Sequence, residues 1–195
     1  MYLRSSGRIN YRLIWFDLET TGFNPFKNNI IEIAALDNEG NSFETLTNND
    51  GKPVSKKITE ITNISTDMLV GKPDIKSSVL DFVKFIKPRD KPVYLIGHNI
   101  QCFDLPFIKA HCKRYEIRLP KFYVLDTLRM SQLILNEYRN NLQSLCQLFG
   151  IDNLNAHRAM SDAQATMRIY KYLLEFFRKE YGNSSPNFIR HKTDI

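Results

Sequence analysis

The segment Tyr11-Arg12-Leu13-Ile14-Trp15-Phe16-Asp17 most restricts what this chain can fold into. Its β-branched, aromatic and near-continuous apolar character is that of a buried strand. It nevertheless ends in two acids, Asp17 and Glu19, two positions apart. Side chains alternate along a strand, so both carboxylates point to the same face. Two like charges at the end of a buried strand are costly unless something positive lies between them. A divalent cation held through carboxylate oxygens meets that need. A solvated strand end is the plainer reading of an Asp-x-Glu pair taken alone.

Around this strand the pattern is that of a mixed α/β domain. Thr21-Gly22-Phe23-Asn24-Pro25 is turn chemistry. Ile30 to Leu36 reads as a second strand, Asp37-Asn38-Glu39-Gly40 as a turn, and Ser42 to Thr47 as a third strand, giving an antiparallel meander. Asp74 is placed to cap a helix with Val79, Phe82, Val83 and Ile86 on one side, ending at Pro88. Pro92 to Gly97 is a short apolar strand, Leu105 to Tyr115 is helical, and Asp126 precedes a helix carrying Leu128, Met130, Leu133 and Ile134. The last helix spans about Ala159 to Glu180, with Ala163, Thr166, Ile169, Tyr170, Leu173 and Phe177 on one side. Three strands followed by alternating helices and strands imply a mixed central sheet flanked by helices. Residues 1–181 form one domain on this reading, and 182–195 a flexible basic tail.

Composition narrows the function classes. Of 195 residues, 43% are hydrophobic and 25% charged, a globular balance that excludes wholesale disorder. No apolar run approaches the roughly 18 residues that span a bilayer, so no membrane role is expected. The net charge of +6 favours a polyanionic partner. Cys102, Cys112 and Cys146 are odd in number and lack CxxC spacing, which points to a reducing intracellular compartment, cytoplasmic or nuclear. His98, Cys102, His111 and Cys112 lie close in sequence but lack the paired spacing of a zinc site.

Two further clusters carry candidate chemistry. Gly97-His98-Asn99-Ile100-Gln101-Cys102-Phe103-Asp104 follows a strand and opens a helix, so Asp104 belongs near a helix N-terminus. A capping role alone explains an Asp there. His157-Arg158-Ala159-Met160-Ser161-Asp162 heads the last helix. Five residues turn an ideal helix through about 500°, leaving two side chains roughly 140° apart. His157 and Asp162 therefore share a site only if His157 lies on the entering loop. Ala159 and Ala163 let that helix approach a strand closely.

Taken in order, these three motifs, from about Leu13 to Leu174, resemble the DEDDh (DnaQ-like) 3′–5′ exonucleases, the group of proofreading subunits and three-prime repair exonucleases. Ile30-Ile31-Glu32-Ile33-Ala34, Ile61 to Leu69 and Asp126-Thr127-Leu128 extend the likeness. The resemblance implies a ribonuclease H-like fold. It also implies removal of nucleotides from 3′ ends with two Mg²⁺ or Mn²⁺ ions. Position by position, it makes Asp17 the bridge between the metals. Glu19 and Asp162 become ligands of the ion carrying the attacking water, Asp104 a ligand of the other, and His157 the general base. Leu18, Thr20, Thr21, Ile64, His98, Asn99 and Phe103 become candidate contacts to the terminal nucleotides, with Ile64 as an apolar lip against the last base. Plain core packing explains Ile64 and Phe103 equally well.

The expected substrate is a 3′ end of nucleic acid, with single-stranded DNA favoured and a polymerase or repair partner implied; the oligomeric state is not legible. Asp104 falls six residues after His98, where bacterial proofreading subunits usually space the pair by five. That departure tilts the reading towards a stand-alone enzyme. The alternatives are a 3′–5′ exoribonuclease, since the same metal site cleaves RNA, and a catalytically silent nucleic-acid-binding or polymerase-docking module.

Overall fold

A computed structural model of the chain describes residues 11–135 and 139–181. The expected tail at 182–195 lies outside the described residues. Five strands, β1 (Arg12–Thr20), β2 (Ile30–Asp37), β3 (Ser42–Leu46), β4 (Val93–Gly97) and β5 (Tyr123–Asp126), form one sheet in the order β3-β2-β1-β4-β5. The first three make the expected antiparallel meander, while β4 runs parallel to both β1 and β5. The helices are α1 (Lys56–Thr62), α2 (Thr66–Leu69), α3 (Ile75–Ile86), α4 (Asp104–Arg114), α5 (Thr127–Ile134), α6 (Leu142–Phe149) and α7 (Ala159–Tyr181).

Alternation along β1 divides the core. Ile14, Phe16 and Leu18 face one side, where they pack with Phe82 of α3 and Phe107 and Ile108 of α4. Trp15 faces the other, where it meets Ile169, Tyr170 and Leu173 of α7. Ala159 and Ala163 are completely buried, so the head of α7 lies close against the sheet, as two small side chains allow. Asp17 and Glu19 share the Trp15 parity and therefore emerge beneath α7.

Caps fix the helix starts. Asp74 accepts from the Ser77 N–H at 2.7 Å to begin α3, and Asp126 accepts from the Leu128 N–H at 3.0 Å to begin α5. Four elements go beyond the sequence reading: α1, α2, β5 and α6. A third, smaller cluster of Ile31, Val54, Ile64 and Leu69 sits under α1 and α2.

β4 ends in Gly97, and a side chain there has no room: a Cβ would lie 2.8 Å from Ile100 Cβ. The next residues turn sharply, with Asn99 at φ 63°. Gly97→Ala should therefore force β4 and the turn apart and cost about 1–3 kcal/mol, read as a lower urea midpoint. An unchanged midpoint contradicts the packing described.

Candidate active site

β1 pairs with β2 as far as Thr20 but with β4 only as far as Trp15. The end of β1 thus projects beyond β4 and leaves a gap at the carboxyl ends of two parallel strands, where ligands bind in open α/β sheets. Glu19 is buried and Asp17 half-buried in that gap. Asp162, in the first turn of α7, completes a group with them: one carboxylate oxygen from each of Asp17, Glu19 and Asp162 lies within 4.8 Å of the others.

Asp104 enters from the opposite side as the first residue of α4. It is 1% exposed and leaves Oδ1 without a hydrogen-bond partner, while the backbone N–H groups of Asp104 and Leu18 favour its ionised form. It stands outside the tight trio, yet its charge acts on Asp17.

The consequence is a strongly perturbed set of acids. Burial raises Asp17 well above the usual carboxylate range, and Asp104, Glu19, Asp162 and Glu32 raise it further. Burial also pushes Glu19 to about 8, reinforced by Asp162, Glu32 and Asp104 and opposed by Arg158. Asp104 is raised to about 8, again chiefly by burial. Asp162 is raised by burial, against hydrogen bonds from Asn153 and the His157 backbone that favour its ionised form. An all-oxygen donor set that resists its own ionisation suits a hard divalent cation, which replaces the protons with fixed positive charge.

His157 lies on the loop entering α7, as its spacing from Asp162 requires. Its backbone is left-handed, φ 62°, its N–H donates to Asp162 Oδ2 at 3.1 Å, and its side chain is exposed. The other oxygen of Asp162 accepts from Asn153 Nδ2 at 2.6 Å, and Ser161 Oγ donates to Asn153 Oδ1 at 2.5 Å. Asn153 carries no motif signal and was not legible as a site residue.

The remaining candidates divide into turn-formers and core. Leu18 buries its side chain, and its N–H turns towards Asp104. Thr20 Oγ1 donates to the Gly22 carbonyl at 2.7 Å, and Thr21 Oγ1 accepts from the Asn29 N–H at 2.9 Å, so both hydroxyls brace the β1–β2 turn. His98 Nδ1 lies 3.1 Å from Thr127 Oγ1, and burial pushes its imidazole below the usual range. Asp126 holds the turn after β4, accepting from the N–H groups of Asn99 at 2.9 Å and Gln101 at 3.2 Å. Phe103 is half-buried, 5.2 Å from the Phe107 ring and edge-on to the exposed Phe23 ring at 6.2 Å. Ile64 is fully enclosed with Ile31, Val54 and Leu69, so its side chain presents no surface to a base. His111 and Cys112 are buried within α4, where burial lowers the imidazole to about 4 and raises the thiol to about 12, while Cys102 is exposed.

Residues 14–170 match the family model described as exonuclease, RNase T. The chain is 34% identical over 166 residues to the PolC-type DNA polymerase III of Bacillus subtilis, covering 82% of this chain but 11% of that protein. It is also 34% identical over 178 residues to the DNA polymerase III subunit epsilon of Treponema pallidum, covering 86% of this chain and 79% of the relative. The chain thus spans about a tenth of the PolC-type proteins it matches and most of the epsilon subunits. In fold it superposes on E. coli exonuclease I in complex with a dT13 oligonucleotide, with TM-score 0.73 and 17% identity, over 88% of this chain and 42% of that one. This places the mixed sheet in the expected ribonuclease H-like class.

The raised acids set the pH behaviour of the metal-free protein. Glu19 and Asp104 titrate near 8 when folded, against about 4 in an unfolded chain. Raised carboxylates stabilise fully below the unfolded value, and that contribution disappears as pH climbs through the folded one. In chelator, Tm should fall between about pH 5 and about 8. At the upper end Asp17→Asn should raise it by roughly 2–8 °C, the size of ~1–2 kcal/mol in a chain this long. Calorimetry showing a rise in wild-type Tm across that window contradicts the electrostatics described.

Proposed function

This chain belongs to the RNase T exonuclease family, and on that premise we propose that it removes nucleotides from the 3′ end of single-stranded DNA. The observation that carries the reading is the convergence of Asp17, Glu19 and Asp162, one oxygen each within 4.8 Å, with the charge of Asp104 acting on Asp17. Phosphodiester hydrolysis needs charge neutralised on both the attacking and the leaving oxygen.

Divalent ions, when bound, would supply that neutralisation and a readily ionised water. Glu19 and Asp162 would hold one ion and Asp104 would help to hold a second, with Asp17 contributing to both. Mg²⁺ or Mn²⁺ fits this donor chemistry. Two ions are proposed because Asp104 stands apart from the trio and carries a buried oxygen with no protein partner. His157 would take the proton from the attacking water, its exposed imidazole presented by the turn that is bonded to Asp162. The exposed Phe23 ring, edge-on to Phe103, offers apolar surface for a terminal base.

The DNA preference draws support from relatives whose names are those of DNA polymerase III proteins. The same likeness favours a proofreading association with a polymerase over the stand-alone enzyme that the His98-to-Asp104 spacing suggested. RNA remains the alternative polymer, because discrimination rests on contacts to the 2′-OH.

With Mg²⁺ and 5′-labelled single-stranded DNA, the wild type should give a ladder shortening from the 3′ end, and Asp17→Ala or chelator should abolish it. His157→Ala should lower kcat by about 10²–10⁴-fold while Mn²⁺ still raises Tm. Endonucleolytic fragments, or full activity of either variant, contradict the reading.

A further inference from the structure

Glu32 stands directly opposite Glu19 in the antiparallel β1–β2 pair. Cross-strand partners share a face of the sheet, so Glu32 points beside Glu19 under α7. Both are buried, Glu32 completely. Like charges facing one another in this way oppose folding. The strand around Glu32, Ile30-Ile31-Glu32-Ile33-Ala34-Ala35, is otherwise wholly apolar and buried. An ionised side chain in such a strand needs a partner.

That partner is Arg158. Its Nε donates to both Glu32 oxygens at 3.2 Å, and its Nη2 donates to Oε1 at 2.6 Å. Glu32 Oε2 also accepts from the Ala159 N–H at 2.9 Å. Ala159 opens α7, so the carboxylate also meets the positive end of that helix. Glu32 therefore grips the two residues that immediately follow His157. From there the turn continues to Asp162, which accepts the His157 N–H. Arg158 in turn lowers Glu19 against the surrounding acids, being the cation that acts on it.

We propose that Glu32 and Arg158 are positioning residues for the exonuclease site: their ion pair clamps the His157 turn and the head of α7 onto β2. This rests on the reading of the site as a metal-dependent exonuclease. Glu32 itself is not a metal ligand, since Arg158 and the Ala159 N–H occupy both of its oxygens. Without the clamp, the left-handed turn at His157 keeps its local bonds, His157 N–H to Asp162 and Arg158 N–H to the Asn155 carbonyl, but loses its tie to the sheet, and the base drifts relative to the water it must deprotonate.

The test compares Arg158→Ala, Arg158→Lys, Glu32→Gln and the double variant Glu32→Gln/Arg158→Ala, at a temperature where each is fully folded. Steady-state kinetics on the DNA ladder should show kcat lowered about 10–100-fold in Arg158→Ala, the scale expected for a misplacement of about 1 Å, with KM within about twofold. Arg158→Lys should recover part of the loss, because it keeps the charge but not the forked geometry. The double variant should be no worse than Arg158→Ala, as befits two residues acting as one unit. Hydrogen exchange should quicken in residues 156–163 and stay unchanged across β1 and β2. Unchanged kcat in Arg158→Ala, or exchange that quickens uniformly through the sheet, overturns the proposal. Exchange is read without turnover, so a wild type inactive on every polymer sinks the exonuclease reading while the clamp is still tested.

Discussion

The burial of like-charged carboxylates beside one another is the constraint around which this fold is arranged. Asp17 and Glu19 are committed to one face by the alternation of β1, and pairing with β2 adds Glu32 opposite Glu19. Asp162 arrives from α7 and Asp104 from α4. Burial is the larger cause of the upward displacement of Asp17, Glu19, Asp104 and Asp162, and the neighbouring site acids add to it most clearly at Asp17 and Glu19. The surrounding structure holds the acids in place regardless. The Trp15–Tyr170 contact and the buried Ala159 and Ala163 seat α7 on the sheet. Asp126 anchors the turn that leads to Asp104. Such a set of acids suits cations, since each bound charge would relieve repulsion that packing has already enforced.

Two turns do comparable work on either side of the gap. Asn99 and His157 both adopt left-handed backbone, at φ 63° and 62°. In each, a carboxylate accepts the residue's own N–H: Asp126 for Asn99 and Asp162 for His157. Asn and His are among the residues that tolerate this conformation, and the hydrogen bonds select it. Side-chain direction is thereby set by backbone anchoring, which is how an exposed imidazole keeps a defined place.

Much of this was legible in the sequence because it depends on local pattern. The meander, α3, α4 and α7 follow from apolar periodicity and caps, and the shared face of Asp17 and Glu19 follows from strand alternation alone. Asp162 and His157 needed the order of the motifs, because their spacing by itself leaves the loop undetermined. The missed elements have physical reasons. Helix α1 carries Ile58, Thr59, Ile61 and Thr62, whose β-branched side chains read against a helix. β5 has only four residues, too few to establish a period. Asp126 was readable as a cap, but its bonds to Asn99 and Gln101 arise only once β5 lies beside β4. Glu32 did leave a signal, one acid in an apolar strand, whereas its partner lies 126 positions away. Ile64, read as a lip, is drawn into the small cluster under α1 and α2.

The most direct measurement is anomalous diffraction from crystals of this chain grown with Mn²⁺, which locates the ions without reference to turnover. The account predicts one peak bound by Asp17, Glu19 and Asp162, and a second beside Asp17 and Asp104. Mn²⁺ found only at other surface acids, with these four carboxylates bare, would contradict it.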